Sequence, residues 1–260
     1  MFAKYSLAII AIAFNVLCVL SAPANDFVDV TALPDGIKPC KEDENINTCI
    51  RDVMQSMIKR SKDGVPELNI RPTDPLIQEK SNLQFENNFV QGKMALRNVR
   101  IVGLSKSTVD KTEFERNGDK VKFTTYTRTP KLQVDGSYKA EVFVNNNKMS
   151  SKGIFNVTIT DISAKTETEA ELYERDGHSY MRITKFNIDP TLGDMHVYAT
   201  GLVPDKALND ALLDLANQNW RQVYKSVVPE TRSTWEPIFL KNANEFFAHL
   251  PFDLLLINKQ

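Results

Sequence analysis

Two regimes of hydrophobic patterning divide the chain. From Leu83 to Ala199 apolar and polar positions tend to alternate, while from Asp205 to Leu250 apolar side chains recur at spacings of three and four. The first pattern predicts half-buried strands and the second an amphipathic helix. The clearest strand spans Lys131 to Asn145. Leu132, Val134, Gly136, Tyr138, Ala140, Val142 and Val144 share one face, and Lys131, Gln133, Asp135, Lys139 and Glu141 share the other. Asp135-Gly136 is a common turn pair, but the alternation passes through it without a change of phase, so Gly136 reads as a bend inside one strand. From Ile162 to Leu172, Ile162, Ala164, Thr166, Thr168, Ala170 and Leu172 oppose Ser163, Lys165, Glu167, Glu169 and Glu171. Upstream, Phe155, Val157 and Ile159 lie on the opposite parity, which predicts a bulge near Asp161. Hairpin signals at Asn117-Gly118 and Asp176-Gly177, and a looser turn over Asn145 to Lys152, bound these runs and the shorter ones at Val121-Phe123 and Ser179 to Ile188. Long strands with an internal glycine are what a strongly curved sheet requires.

The helical stretch carries Leu208, Leu212, Leu215, Val223, Val227, Trp235, Ile238, Phe239, Phe246 and Leu250, and its apolar stripe covers roughly half the circumference or more. Unbroken, it would run about 70 Å, against a radius of gyration of about 17 Å for a compact chain of this length. Pro229 is therefore the expected break or bend, and Pro237 is expected to kink the rod. Two ordinary core helices side by side are the plain alternative. A stripe this broad needs more cover than a flat sheet gives. The fold class that satisfies both patterns is α+β, a long curved antiparallel sheet wrapped around a long C-terminal helix, of tubular type. Near the N-terminus, Ile50, Val53, Met54, Met57 and Ile58 predict a short helix capped by Asn47 or Asn45 and ended by Gly64 and Pro66.

A wrapped helix leaves a lengthwise seam. Where inward residues are small (Gly136, Ala140, Ala164, Thr166, Thr168, Ala170), the seam suits an elongated apolar ligand. The candidate wall is Val134, Tyr138, Val142 and Ile162 from the sheet with Trp220, Tyr224, Phe239 and Phe246 from the helix. Tyr138 and Tyr224 add hydroxyls that suit a polar ligand head. Plain core packing is the competing explanation for each.

Lys4, the apolar run Leu7 to Leu20 and the small residues Ser21, Ala22 and Ala24 read as a secretory signal peptide over 1–24, cleaved after Ala24 or, with Pro23 then leading, after Ala22. The rest, 25–260, reads as a single domain, secreted and without stable membrane insertion. Thirty-two Lys and Arg balance 33 Asp and Glu, interspersed along the chain, so composition gives no reason to expect nucleic acid as a partner. Cys18 leaves with the signal, and Cys40 and Cys49 are expected to pair in an oxidising compartment. Asn156-Val157-Thr158 is a glycosylation sequon. His178, His196 and His249 have no metal-ligand spacing, so neither a metal nor another cofactor is expected. Ser56-Met57-Ile58-Lys59 matches a Ser-x-x-Lys pattern without its companion motifs, and neither G-x-S-x-G nor H-E-x-x-H occurs. No catalytic residue is assigned. A secreted interaction or signalling protein without ligand is the main alternative, and an ester hydrolase built on scattered histidines is the remote one.

Several motifs, in order, resemble the insect takeout and juvenile-hormone-binding proteins. They are Ile37-Lys38-Pro39-Cys40 followed by Cys49, Gly64-Val65-Pro66-Glu67-Leu68 with Asp74-Pro75-Leu76, Gly153-Ile154-Phe155-Asn156-Val157-Thr158, Asn219-Trp220, and Leu250-Pro251-Phe252-Asp253. The resemblance implies a secreted carrier without catalysis, with an internal tunnel for hydrophobic ligands such as terpenoid hormones or other lipids. Some relatives are linked to feeding, courtship or circadian output. Two mature cysteines fit the takeout branch rather than the hormone binders proper, and the hairpin after Tyr138 is polar (Asn145, Asn146, Asn147, Lys148) where the family has a glycine- and leucine-rich one.

Overall fold

Alternation sustained over 25 and 29 residues builds two strands long enough to be the spine of the molecule. A computed structural model describes residues 28–86, 91–144 and 147–257. The expected signal peptide and Asn145 and Asn146 lie outside the described residues, as do the side chains of Val144, Val223, Val227, Trp235 and Ile238. In chain order the elements are β1 (Cys40–Lys41), α1 (Ile46–Arg60), β2 (Leu76–Glu86), β3 (Gln91–Val102), β4 (Thr108–Asn117), β5 (Lys120–Val144), β6 (Asn147–Arg175), β7 (His178–Thr191), β8 (Asp194–Ala199), α2 (Lys206–Gln218), α3 (Trp220–Phe247), α4 (Phe252–Leu255) and β9 (Leu256–Ile257).

The antiparallel sheet runs β2-β3-β5-β6-β7, with β4 also on β5 and β8 also on β6. One half of β5 pairs with β4 and the other with β3, while β6 divides likewise between β8 and β7. Strand β1 pairs in parallel with β9, and the disulfide Cys40–Cys49 (S–S 2.00 Å) ties β1 to the first turn of α1. The Asp176-Gly177 turn forms as expected, whereas the other tight hairpin closes on Gly118-Asp119, one residue later than its Asn-Gly signal, because Asn117 pairs with Lys120. The looser turn is shorter than expected. Asn147 already pairs with Val144, so Asn147 to Lys152 belong to β6.

The parity change on β6 is present, but its device differs from the expected bulge. Inward positions shift from Phe155, Val157 and Ile159 to Ile162, Thr168 and Ala170, and on β5 from Val121 and Thr125 to Leu132 and Val134. Pairing continues in register on both sides of the change, from Thr129 with Ile162 to Lys131 with Thr160. Both strands therefore reverse at one level, β6 at Asp161 (φ 51) and β5 at Pro130. Proline has no N–H to give the ladder, so the switch loses little there. Gly136 has a packing role as well. A Cβ there would lie 3.1 Å from the ring of Phe155, its cross-strand partner, so that ring occupies the space a side chain would fill.

The C-terminal helical stretch breaks at a different residue from the expected one. Helix α3 runs through both Pro229 and Pro237, and the interruption falls at Asn219 (φ −112, ψ 15). The Asn219 side-chain amide donates to the Leu215 carbonyl at 2.8 Å, sharing it with the Asn219 backbone N–H (3.2 Å) where α2 closes. The N–H that each proline lacks does not end α3, whereas the backbone of Asn219 leaves helical geometry.

Side-chain amides close the sheet edges that the helices reach. Asn217 of α2 accepts from Val197 N–H (2.8 Å) and donates to Val197 C=O (2.9 Å) on β8. Asn244 of α3 does the same to Ile183 on β7, at 2.7 and 2.9 Å. Gln55 of α1 accepts from Val109 N–H on β4 (2.8 Å) and donates to Ser107 C=O (3.2 Å). A primary amide reproduces the donor and acceptor of a neighbouring strand, so each clamp satisfies an edge and fixes its helix against it. Asn244→Ala strands both Ile183 groups and is expected to cost about 2–3 kcal/mol in denaturant unfolding. Asn244→Asp keeps only the acceptor and should lie between.

The N-terminal segment is held by a charged latch. Val30 is buried with Val65, Leu68 and Leu250, and its N–H donates to His249 C=O at 2.8 Å. Asp29 bonds His249 Nδ1 (2.8 Å) and Arg175 (3.1 Å). The His249 hydrogen bond foremost, with Arg175 helping, holds the Asp29 carboxyl below its ordinary 3.8. A depressed carboxylate stabilises the fold above its unfolded pKa and loses that contribution as pH falls through the folded value. Protection of the Val30 amide relative to its intrinsic exchange rate should therefore be high at neutral pH and fall below about pH 4, whereas in Asp29→Asn it should be low at both.

Candidate functional site

The two central strands alternate, so one face of each points inward, and α2 and the start of α3 pack on that face. Val134, Tyr138, Ile162 and Trp220 are buried in one apolar cluster with Leu96, Phe155, Val157, Val197 and Leu213, and Val142 and Tyr224 pack against it. Six of the eight expected wall residues thus meet. The other two lie further along α3. Phe239 stacks on Phe186 (5.8 Å between centroids), a residue packed against a second cluster that holds Val121, Ala170, Met181 and Ile183. Phe246 packs edge-on to Phe247 and against the third cluster around Val65, Leu68 and Leu250. From Trp220 to Phe246 the helix rises roughly 40 Å, so the aromatic row spans three separate clusters rather than one spot.

The polar atoms in this wall already have protein partners. Tyr138 donates its hydroxyl to Thr200 C=O (3.0 Å), and Tyr224 donates to Pro190 C=O (3.1 Å). Burial pushes both phenols up to about 12, so they stay neutral and offer only lone pairs to a ligand. Trp220 Nε1 donates to Asp194 at 2.9 Å, which anchors the start of α3 to β8. A cleft of about 710 Å³ opens between β8 and α2, lined in part by Tyr198, Val203, Lys206, Asp210 and Asn217, and none of the eight expected residues lines it.

Each histidine bonds a residue distant in sequence: His178 with Asp253 (2.9 Å), His249 with Asp29 (2.8 Å), His196 with Asn217 (3.4 Å). Asn156 lies on the outer face of β6, directly between Asp135 and Tyr198. Among the described residues no helix is long and apolar enough to cross a membrane. The sequence reading missed the clamp residues Gln55, Asn209, Asn217 and Asn244. A signal existed. Asn209 precedes Leu212, Leu213 and Ala216 at helical spacing, so it falls inside the buried stripe, where an amide needs partners; it donates to Ala199 C=O and accepts from Leu202 N–H, both at 3.1 Å.

The architecture and the sequence agree with known proteins. The crystal structure of Takeout 1 from Epiphyas postvittana superposes with a TM-score of 0.66 at 17% identity, covering 85% of this chain and 99% of that one. The circadian clock-controlled protein daywake of Drosophila yakuba is 24% identical over 229 residues, covering 85% of this chain and 86% of the relative. Its Drosophila melanogaster counterpart is 24% identical over 228 residues with the same coverage. Residues 13–257 match the family described as haemolymph juvenile hormone binding protein, and the chain belongs to that family.

Proposed function

We propose that the protein is a secreted, non-catalytic carrier. In this reading a small elongated hydrophobic ligand, a terpenoid hormone or another lipid, lies in the seam between the inner face of β5 and β6 and helix α3. The observation that supports the proposal is a chain of a hormone-binding family whose helix packs Trp220 and Tyr224 against the apolar inner face of the sheet and Phe239 against Phe186 of β7. A ligand bound there meets mostly carbon, so length and shape discriminate more than hydrogen bonding does. Organic extraction of protein purified from its native tissue should release a stoichiometric apolar compound detectable by mass spectrometry. The protein should also bind an environment-sensitive fluorescent lipid. If neither occurs, the carrier reading fails in favour of an interaction module, and turnover of an ester that a histidine substitution abolishes would point to a hydrolase. The clock-controlled relatives extend the proposal to a role linked to clock physiology, testable by whether the transcript cycles over the day.

A further inference from the structure

We infer that Asn156 carries an N-linked glycan whose first N-acetylglucosamine packs on Tyr198 and Ile154, a seat built into the outer face of the sheet. Phe155 and Val157 are buried, so Asn156 points outward, with Ile154 and the sequon residue Thr158 on its own face and Tyr198 directly opposite on β8. Two large apolar side chains are open to solvent there, Ile154 at 57% and Tyr198 at 48% exposed. Directly opposed positions in an antiparallel pair put their Cβ atoms about 5 Å apart, within reach of a sugar ring leaning from one onto the other. The Asn156 amide makes no hydrogen bond among the described residues, in contrast to Asn209, Asn217 and Asn244, which clamp backbone. Tyr198 also forms a wall of the cleft between β8 and α2, whose Lys206 and Asp210 offer polar groups to a chain leaving over the ring. The sugar thus covers apolar surface that the fold leaves bare and meets polar groups beyond it.

The inference rests on the secretion in the proposal above, because the modification happens in the secretory pathway. Asn156 Nδ2 bonds the anomeric carbon of a lipid-linked oligosaccharide diphosphate, the carbon–oxygen bond to the diphosphate breaks, and the nitrogen loses one proton.

The test uses the full chain secreted from insect cells. Its intact mass should exceed the peptide mass by whole sugar units, and the excess should vanish in Asn156→Gln and in Thr158→Ala. Unfolding in denaturant is then compared between protein trimmed by a glycosidase to one N-acetylglucosamine and disulfide-bonded protein of the same sequence made without glycosylation, in which Asn156 remains the free amide. The single sugar should shift the folding equilibrium roughly three- to tenfold toward the native state, and that increment should disappear in Tyr198→Ser. Because each background is measured in both states, the cost of the substitution itself cancels. An unmodified mass, or an increment equal in Tyr198→Ser and wild type, overturns the inference. Lipid extraction is independent of either result, so the carrier reading can fail separately.

Discussion

Gly153→Ala is expected to prevent folding or to lower stability by at least about 4 kcal/mol. A Cβ at Gly153 would lie 1.9 Å from the carbonyl oxygen of Thr200 and 2.7 Å from both its carbonyl carbon and its hydroxyl. The obstacle is backbone, which cannot rotate away as a side-chain tip can. Thr200 is also pinned: its N–H donates to Ile154 C=O (3.0 Å), its hydroxyl accepts from Ile154 N–H (3.1 Å), and its carbonyl accepts from Tyr138 (3.0 Å). Any retreat breaks one of these and pulls on Tyr138 inside the buried cluster. The matched control is Gly118→Ala. Gly118 has a positive φ of 63 but nothing within 4 Å of the position a Cβ would take, so only the left-handed backbone is penalised, by about 1 kcal/mol. Urea unfolding of both variants should separate them clearly. Near-equal midpoints would mean that the end of β8 can move away from β6.

Much of the sheet is legible in the sequence, and little of the joinery between helix and sheet is. The period-two pattern locates β5 and β6 and their inward faces, because burial on one side of a strand leaves a mark at every second residue. It shows the reversal near Asp161 but attributes it to one strand, since the compensating reversal at Pro130 is visible only once the two strands are paired. Sequence places the helix break at Pro229 because proline is the strongest local breaker. The competing signal, an asparagine that bonds the carbonyl four residues back, looks like any other polar residue until the helix has formed. The candidate wall follows from the same periodicities, and six of its residues meet in one cluster. Phe239 and Phe246 fall elsewhere because sequence spacing gives the face of a long helix and not the position along it. The clamps escape such a reading because an amide reads as solvated until the unpaired strand edge it serves is known.

Trp220→Ala is expected to cost about 4 kcal/mol, and it tests both the fold and the proposed seat. The indole is 4% exposed and packed in the cluster that contains Val134, Tyr138 and Ile162. Its Nε1–H bonds Asp194 at 2.9 Å, the Arg221 guanidinium lies 4.5 Å from its ring, and Tyr224 meets it edge-on at 6.3 Å. Alanine removes the ring contacts, leaves a void and frees the first turn of α3 from β8. Trp220→Phe keeps most of the apolar volume and loses the bond to Asp194, whose carboxylate is solvent-exposed and can rehydrate; about 1–2 kcal/mol is expected. Tyr138→Phe removes one neutral bond, to Thr200, for about 1 kcal/mol. Stability alone would follow this order for any well-packed core. Lipid binding adds the discriminating readout: if these residues line the seam, Trp220→Ala should change affinity for a fluorescent lipid by more than about tenfold in one direction, by removing wall or by adding room, under conditions where the variant remains folded. If Trp220→Ala and Tyr138→Phe are both folded and bind the probe as wild type does, the ligand does not sit against this cluster, and the stretch of α3 around Phe239 and Phe186 becomes the place to look.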